Sequence, residues 1–168
     1  MNRGPLVLEV ADLLARPGRH RDAHLDAVLD DLVVVGSRVR PGEALGVDLS
    51  LESLNEALVV KGTATVPWTG ECRRCLGAIE ETALVPILEV FEDEPTEGET
   101  QPLRGGEIDV EPVVREAVLL DLPLAPVCRP DCQGLCPQCG ADRNQGDCGC
   151  RGEAGDPRWS ALDDLRFD

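Results

Sequence analysis

Eight cysteines in four close pairs constrain this chain more than any other feature. The pairs are Cys72-x2-Cys75 in ECRRCL, then Cys128-x3-Cys132, Cys136-x2-Cys139 and Cys148-x-Cys150 in CRPDCQGLCPQCGADRNQGDCGC. In a reducing compartment, thiols spaced this way are more often metal ligands than disulfides. Zinc takes four ligands in a tetrahedron, and thiolates suit it. A CxxC turn lets two sulfurs reach one ion while main-chain N–H groups between them soften the negative charge. Four pairs suit two sites of four thiolates each, so the expected cofactor is Zn2+, one or two ions in a structural role. A catalytic zinc usually keeps a position open to water, which four thiolates would fill. The spacings match no ferredoxin run, which argues against an iron–sulfur cluster.

Three pairings of the pairs exist. The most local one closes Cys136 and Cys139 with Cys148 and Cys150, because eight residues separate these pairs and Gly140 and Gly146 can turn the chain. Cys72/Cys75 and Cys128/Cys132 would then share a second ion across a loop of 52 residues. Closing so long a loop costs little more than closing a shorter one, since the entropy grows only logarithmically. This pairing is preferred. Cys128/Cys132 with Cys136/Cys139 is compact, but it leaves Cys72/Cys75 to find Cys148/Cys150. An all-thiolate zinc site carries a net charge of about −2. Arg73, Arg74, Arg129, Arg143 and Arg151 lie inside or beside the pairs. They read as local neutralisation, with RNA phosphate contact by Arg73 and Arg74 as the alternative.

The formal charge of −16 over 168 residues repels bare nucleic acid and attracts basic partners. With two Phe, two Trp and no Tyr, the core must be aliphatic. No window offers the roughly 18 apolar residues of a membrane span. MNRGPLVLEV is too short and too acidic for a secretory signal, so a cytoplasmic location is expected.

Short apolar or alternating runs bounded by turn residues predict strands at Leu6–Val10, within 31–40, at Leu45–Leu51, at Ala57–Val66 and at Thr82–Phe91. Pro86 marks its run as a sheet edge or a bulge. ADLLARPGRHRDAH reads as a short helical turn ending before Pro17. His20 and His24 read as a solvated face among Arg19, Arg21 and Asp22. From Glu89 to Glu111, nine residues are acidic and only Arg104 is basic, while Gly98, Gly105 and Gly106 interrupt any pattern. The expectation there is an acidic loop near 92–108. Asp109 caps a predicted helix with Pro112 in its first turn, an apolar face of Val113, Val114, Ala117, Val118 and Leu120, and Pro123 as its stop. A tail helix is predicted from Asp156, Pro157 and the spacing of Trp159, Leu162 and Leu165.

The expected fold class is α+β: an antiparallel β-sheet core with few helices and a small C-terminal cysteine-rich zinc module. The expected domains are 1–127, with the first CxxC at a strand tip, and 128–168, a zinc knuckle with the tail helix. No phosphate loop, nucleophile elbow or HExxH motif occurs, so no enzyme is expected.

ECRRCL, then IDVEPVVREAVLLDLPLAPVC, then the CxxDCxGLCPxCG pattern with DPRW near the end, resemble the YceD family of large ribosomal RNA subunit accumulation proteins. The resemblance runs over nearly the full length in the same order. It implies a role in accumulation of large-subunit ribosomal RNA. The partners it implies are a large-subunit rRNA precursor, a basic ribosomal protein, or both, with no membrane and no small-molecule substrate. Relatives often carry histidines where this chain has Cys148-x-Cys150, an exchange that zinc ligands tolerate, which favours the local pairing. The alternative function is a redox- or zinc-sensing interaction module.

Overall fold

The computed structural model describes residues 4–55 and 57–150; the predicted tail helix lies outside them. The elements are β1 (Val7–Glu9), α1 (Ala11–Leu14), β2 (His20–Ala27), β3 (Ser37–Val39), β4 (Leu45–Ser53), β5 (Ala57–Glu71), β6 (Ala78–Glu92), β7 (Gln101–Arg104), β8 (Glu107–Asp109) and α2 (Glu111–Asp121). The α and β shares are lopsided, since the described residues are mostly sheet with two helices. The eight strands run in the order β1-β8-β7-β6-β5-β4-β2, with β3 also on β5. Every pairing is antiparallel except β6 with β7, which touch in parallel at Phe91–Gln101 and Glu92–Pro102.

Alternation decides which face is buried. In β4, Leu45, Val47, Leu49 and Leu51 are buried, while Asp48 and Glu52 point outward. Across the ladder, Leu58 faces Phe91 and Ala64 faces Val85, so the same face continues through β5 and β6. Val113, Val114 and Val118 of α2 close over it. Among the described residues, the core is aliphatic apart from Trp68, Phe91 and sulfur.

Two expectations are corrected, and one strand joins those expected. Beyond the short helical turn, the run from His20 to Ala27 is an eight-residue strand. Its polar residues alternate outward, and Arg21, Ala23, Leu25 and Ala27 line the other side. The stretch 92–108 is not a loop throughout: it holds β7 and β8. Leu103 and Ile108 are buried opposite one another. Gly105 and Gly106, both at positive φ, form the two-residue turn that a right-twisted hairpin requires. Leu120 does not join the apolar face of α2, being 80 % exposed. The helix itself ends at Asp121, ahead of Pro123. The Asp109 carboxylate accepts the Glu111 N–H at 3.0 Å, one residue ahead of the helix's own N-cap, Val110.

Candidate metal centres

β5 and β6 are long partners of fifteen residues each, and the turn joining them, 72–77, carries the first CxxC. Cys72 N–H donates to the Gly77 carbonyl, and Leu76 N–H donates to the Cys72 carbonyl, which curls the turn around its sulfurs. Leu76 sits at φ 59°, a strained position for a branched residue and a sign of how tightly the turn closes. The chain leaving α2 passes this tip. Arg73 N–H donates to the Pro126 carbonyl, and Leu135 N–H donates to the Arg74 carbonyl. The Arg74 guanidinium donates to the carbonyls of Pro130 and Cys132 at 3.1 and 3.0 Å. Gly134, at φ 69°, lies so close to the Arg74 carbonyl that a side chain there would press on it.

The eight cysteines gather into two tetrads. Cys72, Cys75, Cys128 and Cys132 form one, and Cys136, Cys139, Cys148 and Cys150 form the other; within each, the four sulfurs lie within 4.8 Å of one another. This is the local grouping. In the first tetrad Cys72 Sγ is 3.8 Å from Cys132 Sγ, and Cys75 Sγ is 3.7 Å from Cys128 Sγ. A disulfide needs about 2.05 Å. Sulfurs held about 2.3 Å from one tetrahedral ion lie about 3.8 Å apart along the edges of the tetrahedron. The donor set therefore fits a metal ion bound by four thiolates.

The electrostatics agree. The main-chain N–H of Cys128 lowers the Cys72 thiol to about 6, while hydrogen bonding to Cys132 pushes Cys128 up to about 12. In the second tetrad the main-chain N–H of Cys139 lowers Cys136 to about 6, and the bond to Cys139 pushes Cys150 up to about 12. Sulfurs this close share protons, because each thiolate raises the cost of the next. A divalent cation removes that conflict, and the N–H groups that favour Cys72 and Cys136 already face the charge.

The tetrads differ in depth. Cys72 and Cys132 are buried, Cys75 is half-buried and Cys128 is exposed. In the second, only Cys136 is buried, while Cys139 and Cys150 are exposed. Cys136 N–H donates to the Ala141 carbonyl and Gly140 N–H to the Cys136 carbonyl, so the CPQCG turn closes on itself. The two centres are coupled by a residue that sequence reasoning missed. Asn144, from the second loop, donates Nδ2–H to Cys132 Sγ at 3.4 Å. Its Oδ1 accepts from the Gln133 N–H and the Arg129 guanidinium, each at 2.8 Å. Asp142 orients it, accepting its N–H and Nδ2–H at 2.9 and 2.6 Å, and these contacts hold the Asp142 carboxyl below its usual range. The one available signal was the Asp-x-Asn spacing, which favours a side-chain-capped turn.

His20 and His24 lie outside both centres, exposed on β2. His24 Nδ1 meets Asp48 Oδ1 at 2.7 Å, and Nε2 lies 3.5 Å from Asp26. Among the described residues, no helix is long and apolar enough to cross a membrane.

Comparison with known proteins places this chain among relatives of one family. Residues 60–166, which include both tetrads, match the family described as large ribosomal RNA subunit accumulation protein YceD. An uncharacterized protein of Mycobacterium tuberculosis (strain ATCC 25618 / H37Rv) is 38 % identical over 170 residues, spanning 94 % of this chain and 80 % of that one. An uncharacterized protein of Mycobacterium leprae (strain TN) is 32 % identical over 96 % of this chain and 77 % of its own length. The large ribosomal RNA subunit accumulation protein YCED homolog 1, chloroplastic, of Arabidopsis thaliana is 35 % identical over 60 residues, 36 % of this chain and 19 % of that one. No solved structure matches. With both cysteine tetrads inside the matched span, the chain belongs to the YceD family of large ribosomal RNA subunit accumulation proteins.

Proposed function

We propose that the chain is a non-catalytic ribosome-biogenesis factor. It supports large-subunit rRNA accumulation, and a zinc ion in each tetrad holds its working surface in shape. The observation that carries this reading is family membership over a span that contains two closed sets of four thiolates. Four sulfurs around zinc leave no position for a reacting water, so the metal serves folding rather than turnover. Zinc suits the sites because thiolates select it and it has no redox chemistry of its own. Thiols kept reduced for this purpose suit a cytoplasmic setting. At a net charge of −16, attraction to bare RNA is weak and attraction to a basic protein is strong. The favoured role is an acidic escort for a basic ribosomal protein on its way to the rRNA precursor.

Affinity purification from cells, washed at rising salt, tests this with RNA sequencing and mass spectrometry on one eluate. The expected result is enrichment of a basic large-subunit protein, lost as salt rises, with precursor rRNA following it. Recovery of rRNA without any ribosomal protein, persisting through moderate salt, would overturn the escort role. Absence of both would overturn the assembly role.

The exposure of Cys139 and Cys150 favours a second reading, a redox- or zinc-sensing module. Thiolates in contact with solvent meet oxidants first. Mild peroxide would then release one zinc per chain. If zinc stays bound until the protein unfolds, this second reading fails.

A further inference from the structure

β6 pairs with β5 along its whole length, but on its other side it meets only β7, at Phe91 and Glu92. Among the described residues, no strand pairs with that side from Ala78 to Val90. In an antiparallel ladder about half of a strand's N–H and C=O groups point away from its partner, so this edge offers a row of donors and acceptors. A groove of about 320 Å3 runs along it. Val85, Ile87 and Glu89 from the core face of β6 and Pro86 and Leu88 from the outer face line the same groove, which places it at the strand's edge rather than on either face. Its far wall is one stripe of α2: Val113, Glu116, Ala117, Leu120 and Asp121.

Two features say what fits there. The groove's edges are apolar and exposed where a monomer would be polar: Leu88 is 71 % and Leu120 80 % exposed, and Leu84, two residues before Pro86 on the same face, is 69 % exposed. The charges lining the groove are all acidic, Glu89, Glu116 and Asp121, with no Arg or Lys among the lining residues. The nearby arginine of α2 turns away, with Arg115 held by Glu111 and the Asp30 carbonyl. The larger groove beside Cys72, of about 690 Å3, mixes Arg38 and Arg73 with Glu71 and shows no such preference.

We propose that this groove receives an extended basic segment of a partner protein, which adds to the sheet as a strand beside β6. The inference rests on the escort reading and names the surface that would perform it. The segment's main chain pairs with the open edge, which supplies affinity without a sequence code. Its alternate apolar side chains cover Leu88 on the outer face, and its Lys or Arg residues, on the face toward α2, meet Glu89, Glu116 and Asp121. Pro86 lacks an N–H, and strand prolines sit with that gap facing the unpaired side. The gap removes one ladder donor in mid-course, so the added strand pairs on either side of Pro86 rather than through it.

The test uses the full zinc-loaded chain and a fluorescein-labelled peptide of alternating Lys and Val, about ten residues long to match the edge at about 3.3 Å per residue. Anisotropy should show saturable one-to-one binding, and hydrogen exchange should slow in the amides of 78–90. Glu116→Lys with Asp121→Lys should weaken binding by about tenfold or more and admit the Glu/Val counterpart peptide instead. Both substituted positions are exposed, and circular dichroism with zinc content verifies that the variant is folded. Methylating alternate peptide nitrogens should abolish binding. The proposal is overturned if no basic peptide binds, if the methylated peptide binds equally well, or if the groove variant leaves affinity unchanged. It is also overturned if an RNA oligonucleotide protects 78–90 in the peptide's place, or if cross-links show the chain's own residues 151–168 filling the groove. These readouts judge the groove alone. Recovery of ribosomal protein and rRNA with the unmodified chain judges the escort reading separately.

Discussion

At the scale of single residues, the chemistry sits in side chains that tune sulfurs rather than in the sulfurs alone. Cys72 through Cys150 were legible in the sequence because metal spacing is a local signal. Asn144 was not, because its importance depends on a contact with Cys132 that only the folded chain creates. An N–H donated to a ligating sulfur spreads its charge and fixes its direction, and such contacts are worth about 10–100-fold in metal affinity. Asn144→Ala should therefore weaken metal retention at the first tetrad by about that factor while leaving the second unchanged, as read by chelator competition. Equal release from both tetrads, at the parent's rate, would show that Asn144 only shapes its own loop. His24 makes a different point about legibility. The i, i+4 spacing said nothing of β2, where the ring meets Asp48 across the ladder. The hydrogen bond to Asp48, then the charges of Asp48 and Asp26, raise its pKa above the ordinary 6.5. A raised folded-state value means that protonated His24 adds stability below the unfolded pKa, and that this is lost as pH rises through the folded one. NMR titration should show His24 titrating above 6.5, and Asp48→Asn should bring it down. An unchanged midpoint in the variant would place the cause elsewhere.

At the scale of elements, alternation and turn chemistry carried the long strands, and the misses have physical causes. β4, β5 and β6 were readable because each buries one face over many residues. β2 was hidden because its inner side is lined by Arg21 and Ala23 as well as Leu25, too little contrast for a period-two pattern. β7 and β8 were hidden because acidic neighbours outnumber Leu103 and Ile108, although Gly105-Gly106 is itself a hairpin signal. The two-sided pairing of β5 makes its own demand at Gly62. A Cβ there would overlap the Asp48 carbonyl oxygen of β4, and backbone cannot move aside as a side chain can. Gly62→Ala should cost about 1–3 kcal/mol of stability. Gly46→Ala is the control: its Cβ would meet only His24 and Asp26 side-chain atoms at ordinary contact distance. Denaturant midpoints compare the two, and similar shifts would mean that the β4–β5 approach tolerates a methyl.

At the scale of the whole molecule, the two tetrads hold different amounts of structure. The first joins the β5–β6 turn to the segment following α2, so Cys72 and Cys132 meet across 60 positions of sequence. The second closes within 136–150, its turn pinned by a bridge between Leu135 and Asp142, and rests on the first through Asn144 and the Leu135 N–H bond to the Arg74 carbonyl. This grouping is what short spacing and cheap long-loop closure suggested, whereas the difference in burial could not be read before the sheet tip was placed. Metal energy becomes folding energy wherever the bound segments are otherwise free to separate. Removing Cys72 from the first centre leaves buried Cys132 and half-buried Cys75, with Cys128, without a full charge partner and frees the segment after α2 from the sheet tip. Removing a ligand from the second exposes a short loop that is already largely in water. Cys72→Ser should therefore lower the unfolding midpoint of the entire sheet and reduce protection in β5, β6 and α2. Cys136→Ser should leave that transition nearly intact and raise exchange only within 136–150. Zinc stoichiometry by mass spectrometry, alongside the two melting curves, verifies that each variant has lost one site. If both variants shift the sheet's midpoint equally, the molecule is a single metal-locked unit, and coupling through Asn144 is stronger than its one hydrogen bond to sulfur implies.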